Sequence, residues 1–270
     1  MERQGVYLYG FVPLGTTLDL GRLEGIDESG PVRALDLGGS TAVVVDVDLD
    51  AFEMAMTNGP NGGPDPDWVV PRALRHERVL DVVLDRSPVL PVRFGALFSS
   101  VGALAAMAAE HDAAIAIFLE SLGDKREWSL RGYVDLDAAA DRLLEADPEL
   151  SARRARLPDA PGARYFQEKK LREDARREAR RAASAAASAV RRALRAVATD
   201  VRTLPLRSDE DPRREMILHE AVLLARGTEP VALADAERAA AESVSGLLTL
   251  EPTGPWPPFH FCPGLDGGSR

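Results

Sequence analysis

The first apolar run, "GVYLYGFV" at 5–12, mixes β-branched and aromatic residues and stops at Pro13, which predicts a strand. "VRALDL" and "TAVVVDVDL" flank Gly38, Gly39 and Ser40, so residues 32–49 predict a hairpin. "TNGPNGGPDPDW" (57–68) crowds Gly, Pro, Asn and Asp into a loop and leaves Asp67 as the expected N-cap of a helix. From 68 to 84, Val70, Leu74, Val79 and Val83 recur at helical spacing, with Leu80 and Leu84 beside them. "PVLPVRFGALFSS" (88–100) then predicts a strand, and a second helix is expected from Ser99 to about Leu122. Strand, hairpin, helix, strand and helix make one α+β unit.

"GDKR" (123–126) is the expected joint to a second unit. There "EWSLRGYVDL" predicts a strand and 136–146 a helix, followed by a broken segment and a long helix from about Pro161 to Ala198. "DVRTLPLR" and "EMILHEAVLLAR" predict two strands joined by the acidic loop "SDEDP"; 231–242 is a helix and "SGLLTLEP" a last strand. This β-α-β-β-α-β order is the ferredoxin-like pattern, and the first unit carries similar pieces in a modified order. The expected fold class is therefore α+β, with two modified ferredoxin-like domains at 1–123 and 124–252. A tail at 253–270 sets Trp256, Phe259 and Phe261 among Pro255, Pro257 and Pro258. It is expected to pack as an extended strap outside any helix or central strand, with "GLDGGSR" fraying.

Composition narrows the function classes. A net charge of −10, from 33 basic against 43 acidic residues, argues against a protein devoted to neutralising phosphates. The single cysteine, Cys262, excludes an internal disulfide and a zinc site built from cysteines, and fits a reducing cytoplasm. The N-terminus lacks the basic and apolar regions of a secretion signal. The most lipid-like stretch, "VGALAAMAAEHDAAIAIFLE", is interrupted by Glu110, His111 and Asp112, so no membrane span is expected.

The chemical motifs are mostly fragments. No glycine-rich loop ends in Gly-Lys-Ser/Thr, which excludes a P-loop. His76-Glu77 and His219-Glu220 start like a zinc-protease motif, but Leu80 and Leu223 stand where its second histidine belongs. Asp46, Asp48 and Asp50 imitate half a calcium loop, with Ala51 in place of the turn glycine and Thr57 in place of the bidentate Glu. The reading is of no catalytic constellation, no metal and no cofactor.

The long helix is the strongest compositional feature. Ala175, Ala179, Ala183, Ala186, Val190, Leu194 and Val197 form a narrow stripe for close packing, and arginines, Arg180 and Arg181 among them, cover the rest. That cover is either a solvated face paired with Glu168, Glu173, Asp174 and Glu178, or a docking face for an acidic partner or nucleic acid. A second puzzle is Arg93, whose burial unpaired within 88–100 would cost several kcal/mol.

Six stretches taken in order resemble the gas vesicle protein family GvpL/GvpF. They are "VYLYGFV", "HERVLDVVL", "VLPVRFGALFSS", "EWSLRGYVD", "PGARYFQEKK" and "LTLEPTGPWPPFHF", running from residue 5 to about 261. Departures are mild: Ala96 stands where the family commonly has Thr, and Phe259 where it commonly has Tyr. The resemblance implies two modified ferredoxin-like domains in a cytoplasmic, non-enzymatic protein of gas vesicle formation, associated with the shell as a minor component. Its implied partners are the main shell protein GvpA and other accessory Gvp proteins; no catalytic residues or cofactor come with the family.

The candidate interaction or structural residues are Arg93, Phe94, Arg164, Tyr165, Arg180, Arg181, Trp256 and Phe259. Arg93 is expected to alternate out of its strand and pair with Glu77, Asp81 or Asp85, while Val92 and Phe94 face the core. Two other function classes stay open: a ferredoxin-like enzyme or small-molecule binder, and nucleic-acid binding through the arginine helix.

Overall fold

The first predicted strand is apolar at odd and even positions alike, and such a strand must be covered on both faces. The computed structural model, which describes residues 3–27, 30–59, 62–242 and 247–265, shows how this is met. β1 (Gln4–Pro13) pairs antiparallel with β3 (Ser40–Asp48), and β3 with β2 (Arg33–Asp36), so the hairpin forms as read. Tyr7, Tyr9 and Val12 enter one core with Val43, Val45 and Val47; Val6, Leu8 and Phe11 enter another with Ala42 and Val44. The change of parity between Tyr9 and Phe11 follows from a bulge between Leu8 and Gly10. Gly10 is required there, because a Cβ would lie 2.5 Å from the Leu90 carbonyl oxygen.

The first face is covered by α1 (Leu49–Thr57), α2 (Pro66–Arg86) and the loop residues Leu20 and Ile26. α3 (Val101–Glu110) and α4 (Asp112–Leu122) cover the second through Leu104, Ala108, Ile115 and Leu119. These two replace the single helix expected over 99–122: His111 leaves helical geometry at φ −105°, ψ 10°, and the axis bends by 73°. Asp65, not Asp67, caps α2, with Pro66 following as a first-turn residue. The buried face of α2 is His76, Val79, Leu80, Val83 and Leu84, whereas Val70 and Leu74 remain 54% and 66% exposed.

The strand expected at 88–100 is broken. β4 (Leu90–Pro91) pairs with Phe11 and Gly10 of β1, and β5 (Leu97–Phe98) with Tyr7 and Val6. Between these pairings β1 spends two residues, Leu8 and Tyr9, and the opposing chain spends five, 92–96, so three are extruded. The sheet order is β2-β3-β1-β4.

In the second unit β6 (Arg126–Asp135), β7 (Asp200–Thr203), β8 (Arg214–Leu224) and β9 (Thr249–Trp256) are ordered β7-β8-β6-β9. Counted within each unit, both sheets read 2-3-1-4, the order that interleaves two β-α-β halves. In the first unit the helix of the first half is replaced by loop residues between β1 and β2, which is its modification. α5 (Leu136–Ala146), α7 (Pro161–Val197) and α8 (Glu229–Glu242) match the expected helices, and the broken segment contains α6 (Pro148–Ala155), started by the Asp147 side chain. α7 buries Ala179, Ala183, Ala186, Ala187, Val190 and Leu194, and α8 opposes Ala232, Ala236 and Ala240, so small side chains let helices approach closely.

The tail departs from its expectation in its first residues. β9 continues through Pro252 and Pro255 to Trp256, which an edge strand tolerates because its outer N–H groups need no partner. The chain divides into two compact units, Met1–Glu127 with Pro255–Arg270, and Trp128–Gly254. The fraying expected of "GLDGGSR" falls mostly on 266–270, outside the described residues.

Candidate functional site

Arg93, Phe94 and Gly95 are the three extruded residues, and their neck is closed by Val92 N–H donating to the Tyr9 carbonyl at 2.9 Å and Leu8 N–H donating to the Ala96 carbonyl at 3.0 Å. Gly95 turns the loop at φ +100°, a conformation open to glycine. Arg93 thus projects into water, and among the described residues no carboxylate pairs with it. The expected pairing with Glu77, Asp81 or Asp85 does not form. Asp85 pairs instead with Arg126 at 3.2 Å. Burial pushes the Glu77 and Asp81 carboxyls up, each aided by the next acid along α2, opposite to what a guanidinium would do. Alternation in a regular strand was the wrong device; a bulge on a sheet edge keeps the charge out at lower cost.

Phe94 turns inward, half-buried, into a ring cluster with Tyr7, Phe52 and His76. His76 is fully buried, stacked on Tyr9 at 5.4 Å and bonded through Nδ1 to the Tyr7 hydroxyl at 2.8 Å. That hydroxyl also accepts from Gly95 N–H at 3.3 Å. Burial pushes His76 down to about 4, with a smaller upward pull from the Val92 backbone. The same burial pushes both tyrosines up. The motif that holds Arg93 outside is therefore tied to β1 and α2 by a neutral polar network.

The arginines of α7 are largely engaged within the chain. Arg164 pairs with Glu168 at 2.9 Å, Arg172 with Asp141 on α5 at 2.7 Å, and Arg176 with Asp137. Arg180 grips Glu215 with two bonds at 3.0 and 2.5 Å, and Arg181 lies 3.5 Å from Glu178. Arg191 reaches Glu220, which is fully buried and also accepts from Thr203. Several of these pairs cross to α5 and β8, so the face is more a clamp on its neighbours than a self-paired helix surface. Of the expected partners, Glu168, Asp174 and Glu178 are used.

Tyr165 is 63% exposed, edge-to-face with Phe166, itself 72% exposed, at 5.6 Å. No residue from 161 to 170 is buried. Beside them Leu144, Leu157 and Leu171 line a groove of about 730 Å³. Trp256 is 41% exposed, while Phe259 packs on the first unit's core. His260 is held to the buried Glu127 by its backbone N–H at 2.9 Å and Nδ1 at 2.5 Å.

The calcium-like aspartates have structural posts: Asp48 caps α1, Asp46 pairs with Arg33 and Asp50 with Arg3. Among the described residues no cluster of metal-binding side chains occurs, and no single helix is long and apolar enough to cross a membrane. The exposed α2 face and the ring cluster around His76 were missed in the sequence. His76 could have been found, since it falls three and seven residues before Val79 and Val83 on the buried stripe.

The model of the gas vesicle synthesis protein GvpL/GvpF family matches residues 5–263. Among curated proteins none matches significantly. The fold is similar to crystal structures of the gas vesicle protein GvpF from Anabaena sp. PCC7120 (TM-score 0.66, 17% identity, covering 96% of this chain and 98% of that one) and from Microcystis aeruginosa (TM-score 0.63, 19% identity, 95% and 98%).

Proposed function

Because the chain belongs to the GvpL/GvpF family of gas vesicle synthesis proteins, we propose that it is a non-enzymatic accessory protein that binds the main shell protein GvpA and assists nucleation or assembly of the shell. The family match over residues 5–263 carries this reading. Under this reading the protein works in the cytoplasm and at the gas vesicle. Physical chemistry gives the role a rationale: a shell subunit with a strongly apolar face aggregates before it assembles unless another surface shields or nucleates it.

Candidate surfaces for that task are the Arg93 bulge and the groove flanked by Tyr165, which offers apolar side chains inside a charged rim. Arg180 and Arg181, being engaged in the chain, are assigned structural roles, as is Phe259. Trp256, at the end of β9, is the remaining candidate contact.

The test is genetic and biochemical together. Deleting the gene in a vesicle-forming host is expected to abolish or deform vesicles, and the purified chain is expected to capture GvpA. Normal vesicles after deletion, with no capture, would overturn the proposal.

A further inference from the structure

Exposed arginines with no carboxylate partner among the described residues also occur away from the arginine-rich helix, Arg78 on α2 and Arg22 in the loop after β1 among them. Arg22, Arg75 and Arg78 line a groove of about 330 Å³ whose apolar part is Leu23, Leu74 and Val79. Arg22 and Arg78 are exposed and pair with no carboxylate among the described residues, in contrast to the engaged guanidiniums of α7. One turn before Leu74, Val70 is also exposed, so two branched apolar side chains stand in water beside unpaired cations.

We propose that this groove binds an acidic segment of a partner protein, a helix or turn that presents carboxylates and an apolar side chain on one face. Each component of the groove matches a part of such a segment. Guanidinium forks pair bidentately with carboxylates. Leu23, Leu74 and Val79 take the apolar side chain. The three arginines outnumber Glu24, the one carboxylate among the lining residues, so the groove keeps a net positive charge that disfavours a lysine-bearing segment.

A nucleic acid fits less well. Its phosphate backbone has no use for an apolar floor, and a chain of net charge −10 repels a long polyanion. The inference rests on the reading of the chain as a binding protein, and adds a surface and a partner chemistry that family membership does not supply.

The test uses the full chain and a labelled helical peptide carrying Leu and Glu on one face, followed by fluorescence anisotropy. Arg22→Glu combined with Arg78→Glu alters only exposed side chains, and its fold is checked by circular dichroism. Arg192→Glu, an exposed position on α7, is the control. Loss of two charge-assisted contacts is expected to weaken peptide binding roughly tenfold or more. The control should bind as the unaltered chain does, and the reversed groove should prefer a peptide with Lys in place of Glu.

Equal affinity of the reversed variant and the unaltered chain would overturn the proposal. Tighter binding of single-stranded oligo-dT than of the peptide would overturn it in favour of a phosphate ligand. GvpA capture is measured in parallel: if the unaltered chain fails to capture GvpA yet binds the peptide, the proposed function fails and the groove stands. If GvpA is captured but the peptide is not bound, the groove proposal fails alone.

Discussion

Acidification is expected to destabilise the first unit through one buried imidazole. His76 has no exposed surface, and its pKa falls from the ordinary 6.5 to about 4 because the charged form would be stripped of water. The folded chain therefore binds fewer protons at this site than the unfolded chain between those two values. Stability present above pH 6.5 is lost as pH falls toward 4 and then levels off. The linkage relation gives a loss of about 1.2 kcal/mol at pH 5.5 and about 3 kcal/mol at pH 4 relative to pH 7.

Glu77 and Asp81, whose carboxyls are raised, act in the opposite direction, since the folded state binds their protons more readily. The pH dependence of the whole chain thus mixes both signs. Comparison with His76→Gln, which keeps a polar atom toward Tyr7 and does not titrate, isolates the histidine. Urea unfolding of both proteins at pH 7, 5.5 and 4 should show the unaltered chain losing about 3 kcal/mol more than the variant by pH 4. An NMR titration of the His76 ring in the folded protein is the direct check. Parallel stability curves, or a ring that titrates near 6.5, would refute the reasoning.

Further predictions concern other parts of the fold. At alkaline pH, stability should fall as pH rises through the ordinary tyrosine value of 10, because Tyr7 and Tyr9 resist ionisation only when folded; Tyr7→Phe should reduce that fall in urea titrations. Arg93→Leu should leave thermal stability nearly unchanged, since the side chain is exposed without a carboxylate partner, and should weaken GvpA capture if the bulge is a contact. Gly95→Ala should cost about 1–3 kcal/mol by forcing a Cβ onto φ +100°, read by chemical denaturation. Arg191→Ala should cost about 3 kcal/mol or more, because it leaves the buried Glu220 without its cation, with Thr203 as its one remaining side-chain partner among the described residues. Removing residues after Pro255 should lower the melting temperature by about 5 °C or more, through loss of Phe259, Cys262 and the Glu127–His260 contact.

Family membership and the succession of strands and helices were legible in the chain, because both depend on local pattern. The β-branched and aromatic run at 5–12, the glycine pair at 38–39 and the alanine stripe of α7 each constrain neighbours a few residues away. The second unit's β-α-β-β-α-β order needed no more than that. Where the local signal was ambiguous, the boundaries moved: His111 split one expected helix in two, and α6 formed in a segment read as irregular.

What only the tertiary structure decided is which charges find partners. The periodicity of α7 placed its arginines around a helix, but Asp137, Asp141, Glu215 and Glu220 come from elements 29 to 39 residues away, and their approach depends on packing. Val70 and Leu74 obey helical spacing yet stay in water, since the core beneath α2 is already filled from His76 onward. Arg93 was predicted to leave its strand by alternation, and leaves instead through three extra residues set by two separate registers against β1. A register between distant segments is a property of the sheet, so the position of that guanidinium could not be read from the thirteen residues around it.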